Sequence, residues 1–152
     1  MKRKNYVAYG SNLNVAQMRF RCPDAKIIGT GFLKDYRLLF RGSKTGSYLT
    51  IEPKVGSKVP IVVWSVSDND EMSLDRYEGF PTFYYKKEIS VVIEDIKSHI
   101  SKKVNSFVYI MHEDRPLGVP TARYLNTCVN GYRAFGFNEE FLYKAIKDSE
   151  PV

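Results

Sequence analysis

Tyr9-Gly10-Ser11-Asn12-Leu13 directly follows the apolar stretch Tyr6-Val7-Ala8, and some way on comes Leu74-Asp75-Arg76-Tyr77-Glu78-Gly79, backed by Phe80-Pro81-Thr82-Phe83-Tyr84-Tyr85. The first segment predicts a tight strand-to-helix turn. Glycine accepts backbone angles that other residues resist, and it lets a ligand approach the main chain. N–H groups just ahead of a helix start lack intrahelical partners and sit at the positive dipole end, so they suit an anion. Ser11 and Asn12 can add side-chain hydrogen bonds of the same kind. Gly-Ser-Asn is also simply a good turn sequence, and alone it says no more than that.

The second segment places one carboxylate, Glu78, among aromatic neighbours near a helix end that Gly79 stops. The negative pole of the helix, and desolvation under Tyr77, Phe80 and Phe83, would both raise its pKa. A general base for an amine near neutral pH needs such a rise, from ~4.3 towards 6–7, roughly 3–4 kcal/mol of bias. The plain alternative is a solvated glutamate. Together, an anion cradle and an apolar-flanked carboxylate suit chemistry on a small acidic amide better than a pure binding surface.

The elements that must position these groups read as mostly strands first and helices later. Asn5–Tyr9 predicts a strand, and Asn14 with Gln17 predicts a capped helix that Pro23 ends. Ala25–Phe32 and Tyr36–Arg41 read as two strands joined by Lys34-Asp35. Tyr48–Glu52 and Val59–Val66 read as two more, separated by the turn cluster from Pro53 to Ser57. Asp68, with Glu71 at its third position, predicts the cap of a helix running to about Tyr77. Phe83–Glu94 and Asn105–Met111 complete the strands. Tyr124, Leu125, Cys128, Val129 and Tyr132 share one helix face, and Asn138 caps a last helix after Gly136. This order predicts an α+β fold with a mixed, barrel-like sheet, residues 1–152 forming one domain.

Composition narrows the function classes. Hydrophobic residues at 43% and charged residues at 26% are ordinary for a soluble globular chain, and no apolar run approaches the ~20 residues of a membrane span. Met1-Lys2-Arg3-Lys4 leads into a strand and not an apolar leader, so a cytoplasmic protein is expected. Cys22 and Cys128 read as free thiols, and with His99 and His112 they offer no metal-ligand spacing; neither metal nor cofactor is expected. Net charge is +6, but the basic residues are scattered pairs such as Lys86-Lys87 and Lys102-Lys103, which argues against nucleic acid as a partner. The lone Gly10, without G-x-G-x-x-G, argues against dinucleotide binding.

The two segments together resemble the γ-glutamyl cyclotransferase family, which includes the avirulence-induced plant proteins and small bacterial members. The resemblance rests on Tyr9–Leu13, Met18, Arg21-Cys22-Pro23, Gly31 with Tyr36-Arg37-Leu38, Leu74–Gly79, Tyr84-Tyr85-Lys86-Lys87 and the stretch Pro120–Gly136. It implies a small mixed α/β barrel-like fold and no cofactor. It implies a γ-glutamyl group bound by Tyr9, Gly10, Ser11, Asn12 and Leu13, with Tyr84 and Tyr124 reaching the site, and Glu78 as the acid/base. Many members carry a glycine a few residues after Glu-Gly, where this chain has Phe80-Pro81-Thr82-Phe83, a departure that falls on the leaving-group side of the pocket. The implied reaction is attack of a substrate's own α-amine on its γ-carbonyl, releasing 5-oxoproline and an amine or amino acid. The alternative is a binding or regulatory module that keeps the γ-glutamyl pocket without chemistry. A small-molecule partner and a monomer or homodimer follow from either.

Overall fold

A computed structural model describes residues 2–43 and 46–150. Five strands close into a barrel in the order β1-β3-β2-β4-β5: β1 is Arg3–Ala8, β2 Lys26–Arg41, β3 Tyr48–Ser67, β4 Tyr84–Asp95 and β5 Ser101–Met111. Every pairing is antiparallel except the closing one, where β1 meets β5 in parallel at Tyr6 and Phe107. Among the described residues four α-helices accompany the barrel: α1 Val15–Arg21, α2 Asp68–Glu78, α3 Ala122–Ala134 and α4 Glu140–Asp148. No helix among the described residues is long and apolar enough to cross a membrane.

The unbroken apolar run Val59–Trp64 is buried throughout. A strand packed on both faces loses the polar alternation of a half-exposed one. The expected four short strands in the first half are instead two long ones. β2 and β3 pair from Lys26 opposite Ser65 to Arg41 opposite Tyr48, with an irregularity between Lys34 and Tyr36. The polar residues mark a bulge and not a reversal. Asp35 sits at φ 63 and Gly56 at φ 88, and the Asp35 carboxylate accepts the Gly56 N–H at 3.0 Å, satisfying the backbone where the ladder breaks.

The α2 cap also shifts by one residue from the expected Asp68. Ser67 Oγ accepts the Asp70 N–H and Asp70 Oδ2 accepts the Ser67 N–H, both at 3.2 Å, a reciprocal box built with Asp at the third position. At the far end Gly79 adopts the left-handed conformation at φ 64, and the helix stops directly after Glu78.

Candidate active site

The turn after β1 is a single 3₁₀ turn, Ser11–Leu13, after which Asn14 accepts the Gln17 N–H at 3.1 Å and starts α1. The Leu13 N–H is spent on the Gly10 carbonyl at 3.1 Å, whereas the N–H groups of Ser11 and Asn12 open the turn with no acceptor inside it. Gly10 does not use a positive φ. Its φ of −127° and ψ of −124° lie outside both the α and β regions, and a Cβ there would stand 3.3 Å from the Tyr124 hydroxyl. Close approach is what this glycine provides.

Beside the turn lies a cavity of about 360 Å³, lined by Tyr9, Gly10, Ser11, Asn12, Glu78, Tyr84 and Tyr124 together with further tyrosines. The structure therefore brings together all the candidate residues except one. Leu13 is fully buried in the core and does not line the cavity. Phe80 does not cover Glu78 either; its ring meets Tyr109 at 6.4 Å and Lys86 at 4.4 Å, beside a separate groove.

Glu78 keeps some exposed surface as a residue, but its carboxyl lies deep and no hydrogen-bond donor among the described residues reaches it. Burial pushes it up to about 8, and the Arg21 guanidinium pulls the other way. The carboxyl can thus exchange a proton near neutral pH. The surrounding phenols stay protonated: burial first, then the Glu78 charge, raises Tyr6, Tyr9 and Tyr84. Their hydroxyls are mostly committed. Tyr9 donates to the Tyr109 carbonyl and Tyr84 to the Leu49 carbonyl, each at 2.7 Å. The Tyr124 oxygen, like that of Tyr6, accepts an N–H, here from Leu49 at 3.1 Å, and its hydroxyl has the Cys128 thiol as a further hydrogen-bond neighbour. Cys22 and Cys128 are buried, and burial pushes both thiols up to about 12, so neither supplies a thiolate.

Asn12 is a framework residue more than a free hand for substrate. Its amide nitrogen donates to Tyr6 OH at 2.9 Å, its side-chain oxygen accepts from Arg21, and its carbonyl accepts Trp64 Nε1 at 3.2 Å. Ser11 Oγ pairs with Tyr77 OH at 2.8 Å, and the Arg21 guanidinium stacks 3.4 Å above the Tyr77 ring. Arg21 therefore ties the turn to the helix that carries Glu78.

A family model described as gamma-glutamyl cyclotransferase, AIG2-like, matches residues 6–126. The chain belongs to that family. Among the family's relatives, the gamma-glutamylcyclotransferase of Homo sapiens is 31% identical over 156 residues, spanning 96% of this chain and 78% of the relative. That of Mus musculus is 30% identical over the same shares. A crystal structure of an uncharacterized Homo sapiens protein superposes with a TM-score of 0.80 at 28% identity, covering 100% of this chain and 90% of that one.

Two features of this γ-glutamyl cyclotransferase-family site were not assigned a role from sequence. Arg21 stood only inside a matching segment, and Tyr109, which lines the cavity, carried no signal beyond its place in a strand. Tyr109 is fixed from outside: its hydroxyl donates to Asp75 at 2.6 Å, and Asp75 also accepts from Lys86 at 2.9 Å. Lys86 and Lys4 both pair with Glu71, at 2.7 and 2.8 Å, so α2 is bracketed against β4 and β1. From the other side α3 presses on the turn through Gly131, where a Cβ would fall 2.7 Å from the Leu13 carbonyl carbon and 2.8 Å from the Asn14 nitrogen. Backbone cannot yield as a flexible side chain does. Gly131→Ala is expected to cost about 1–3 kcal/mol, lowering the melting temperature by several degrees. An unchanged melting curve would show that α3 shifts freely and does not seat the turn.

Proposed function

We propose that this cyclotransferase-family enzyme acts on γ-glutamyl amides, closing the substrate on itself to release 5-oxoproline and a free amine. Glu78 carries the reading: a deep carboxyl poised near neutral pH, reached by no hydrogen-bond donor among the described residues, in a cavity shared with the Ser11 and Asn12 N–H groups, which find no acceptor among those residues. Ionised Glu78 takes a proton from the substrate's α-ammonium. The neutral amine attacks the γ-carbonyl carbon, forming the ring C–N bond, while the N–H groups of Ser11 and Asn12 stabilise the oxyanion. The Tyr124 hydroxyl, which lines the cavity beside Gly10, is a further donor to the substrate on turning from Cys128. Collapse of the tetrahedral centre breaks the original amide bond; protonated Glu78 gives its proton to the departing nitrogen, and the ring nitrogen sheds its second proton to the released amine, leaving a neutral lactam and an ammonium product. Tyr9 and Tyr84, their hydroxyls held by backbone, wall the glutamyl group. Tethering supplies the nucleophile, and oriented intramolecular attack reaches effective molarities of about 10⁵–10⁸ M. The names of the human and mouse relatives support the same chemistry.

The test is 5-oxoproline release from γ-glutamyl amides as a function of pH. Because the base must be ionised, kcat/KM is expected to rise with pH through a limb set by Glu78, which titrates at about 8 in the free enzyme. A rate flat from pH 6 to 9 would remove Glu78 from the role of base.

A further inference from the structure

We infer that Tyr48 and Phe83 are specificity-determining residues, forming an aromatic corner at the cavity mouth that selects leaving amines with bulky apolar side chains. The inference rests on the γ-glutamyl reading above. The glutamyl head must reach the deep carboxyl of Glu78, so the departing group runs outward. The aromatic lining residues that are not buried are Tyr48, 44% exposed, Tyr77, 43% exposed, and the half-buried Phe83 and Tyr124. Tyr124 has its hydroxyl held by the Leu49 N–H and serves the glutamyl head. Tyr77 is already occupied by Ser11 and Arg21. Tyr48 and Phe83 remain.

Their rings meet edge to face, with centroids 6.2 Å apart and planes at 89°. Tyr48 meets Tyr124 in the same way at 5.0 Å, and Phe83 meets Tyr84 at 5.3 Å. The corner is braced from behind. The Arg115 guanidinium lies 4.9 Å from the Phe83 ring centre, and a Cβ on Gly42 would approach Phe83 Cζ to 3.6 Å. Such a preset aromatic surface gains contact area with an apolar group while little side-chain freedom remains to be lost. Among the described residues the cavity's only charged lining groups are Glu78 and Arg76. A carboxylate-bearing side chain placed against the two rings would lose hydration, since Arg115, the cation beside Phe83, is not among the residues that line the cavity.

The experiment measures kcat/KM for γ-glutamyl-phenylalanine, -leucine, -alanine and -aspartate, which share the same backbone and differ only beyond the leaving nitrogen's α-carbon. Phenylalanine and leucine are expected to exceed alanine by at least about tenfold, within the range a hydrophobic pocket can discriminate, with aspartate lowest. Tyr48→Ala and Phe83→Ala should each shrink the phenylalanine-to-alanine ratio towards one; melting curves of both variants check the fold. Release from all these amides at comparable kcat/KM, or a ratio that neither substitution moves, overturns the inference and leaves the cyclotransferase proposal standing. No release from any of them overturns both.

Discussion

Glu78→Gln is expected to lower 5-oxoproline release by at least about 10³-fold, since one residue supplies both the base and the acid, and at the same time to make the protein harder to melt. The second effect follows from the same burial as the first. A carboxyl that titrates at about 8 when folded and near 4.3 when unfolded binds more protons in the folded state throughout that interval. Stability therefore falls as pH rises from the unfolded pKa to the folded one, and levels off above it. At pH 7 the cost is roughly 3–4 kcal/mol, which glutamine, being neutral, does not incur. For a chain of this size that amounts to roughly 6–16 °C in melting temperature. The difference should shrink to about a few tenths of a kcal/mol near pH 4, where the wild-type carboxyl is mostly protonated in both states. Equal melting at pH 4 and at pH 8 would mean that the carboxyl is solvated, and with it the case for a near-neutral base would fail.

The place of Glu78 in the cavity was legible because a carboxylate directly ahead of a helix stop and a run of aromatics is unusual, and the stop itself, Gly79, is a local signal. The expected agent was partly wrong. Burial is the largest cause of the raised pKa, yet Phe80 has no share in the cavity, while Tyr6 and Tyr109 arrive there from β1 and β5. No local pattern reveals which strand faces meet across a closed barrel. The same limit explains Leu13, whose neighbours in the turn line the cavity while it faces the core. The strand boundaries failed for a different reason. Lys34-Asp35 and the Pro53–Ser57 cluster carry turn chemistry, and a bulge held by Asp35 and Gly56 uses that chemistry without reversing the chain. Helix limits were read well wherever the capping residue acts within its own few neighbours, as at Asn14 and Gly79.

Arg21→Met should move the pH dependence of catalysis and not only its size. The guanidinium favours the ionised form of Glu78; without it, burial acts unopposed, and the carboxyl must titrate above about 8. Each unit of rise cuts the ionised fraction at pH 7 about tenfold, so kcat/KM at neutral pH falls by about that factor and recovers as pH is raised. A second loss is superimposed. The Asn12 side-chain oxygen, in a residue only 2% exposed, loses the donor that Arg21 provides, and a buried acceptor left unpaired costs about 1–3 kcal/mol. That loss loosens the turn at every pH. Methionine keeps an apolar stem to cover Tyr77, so the packing of α1 is retained. Arg21→Lys separates the two roles: it restores a positive charge, and with it the wild-type limb, but lacks the planar fork that reaches Asn12 while stacked on Tyr77. The lysine variant should therefore show a normal pH limb with a raised KM. If the limb of Arg21→Met stays where the wild type has it, Arg21 acts on the turn alone and burial by itself sets the proton affinity of the base.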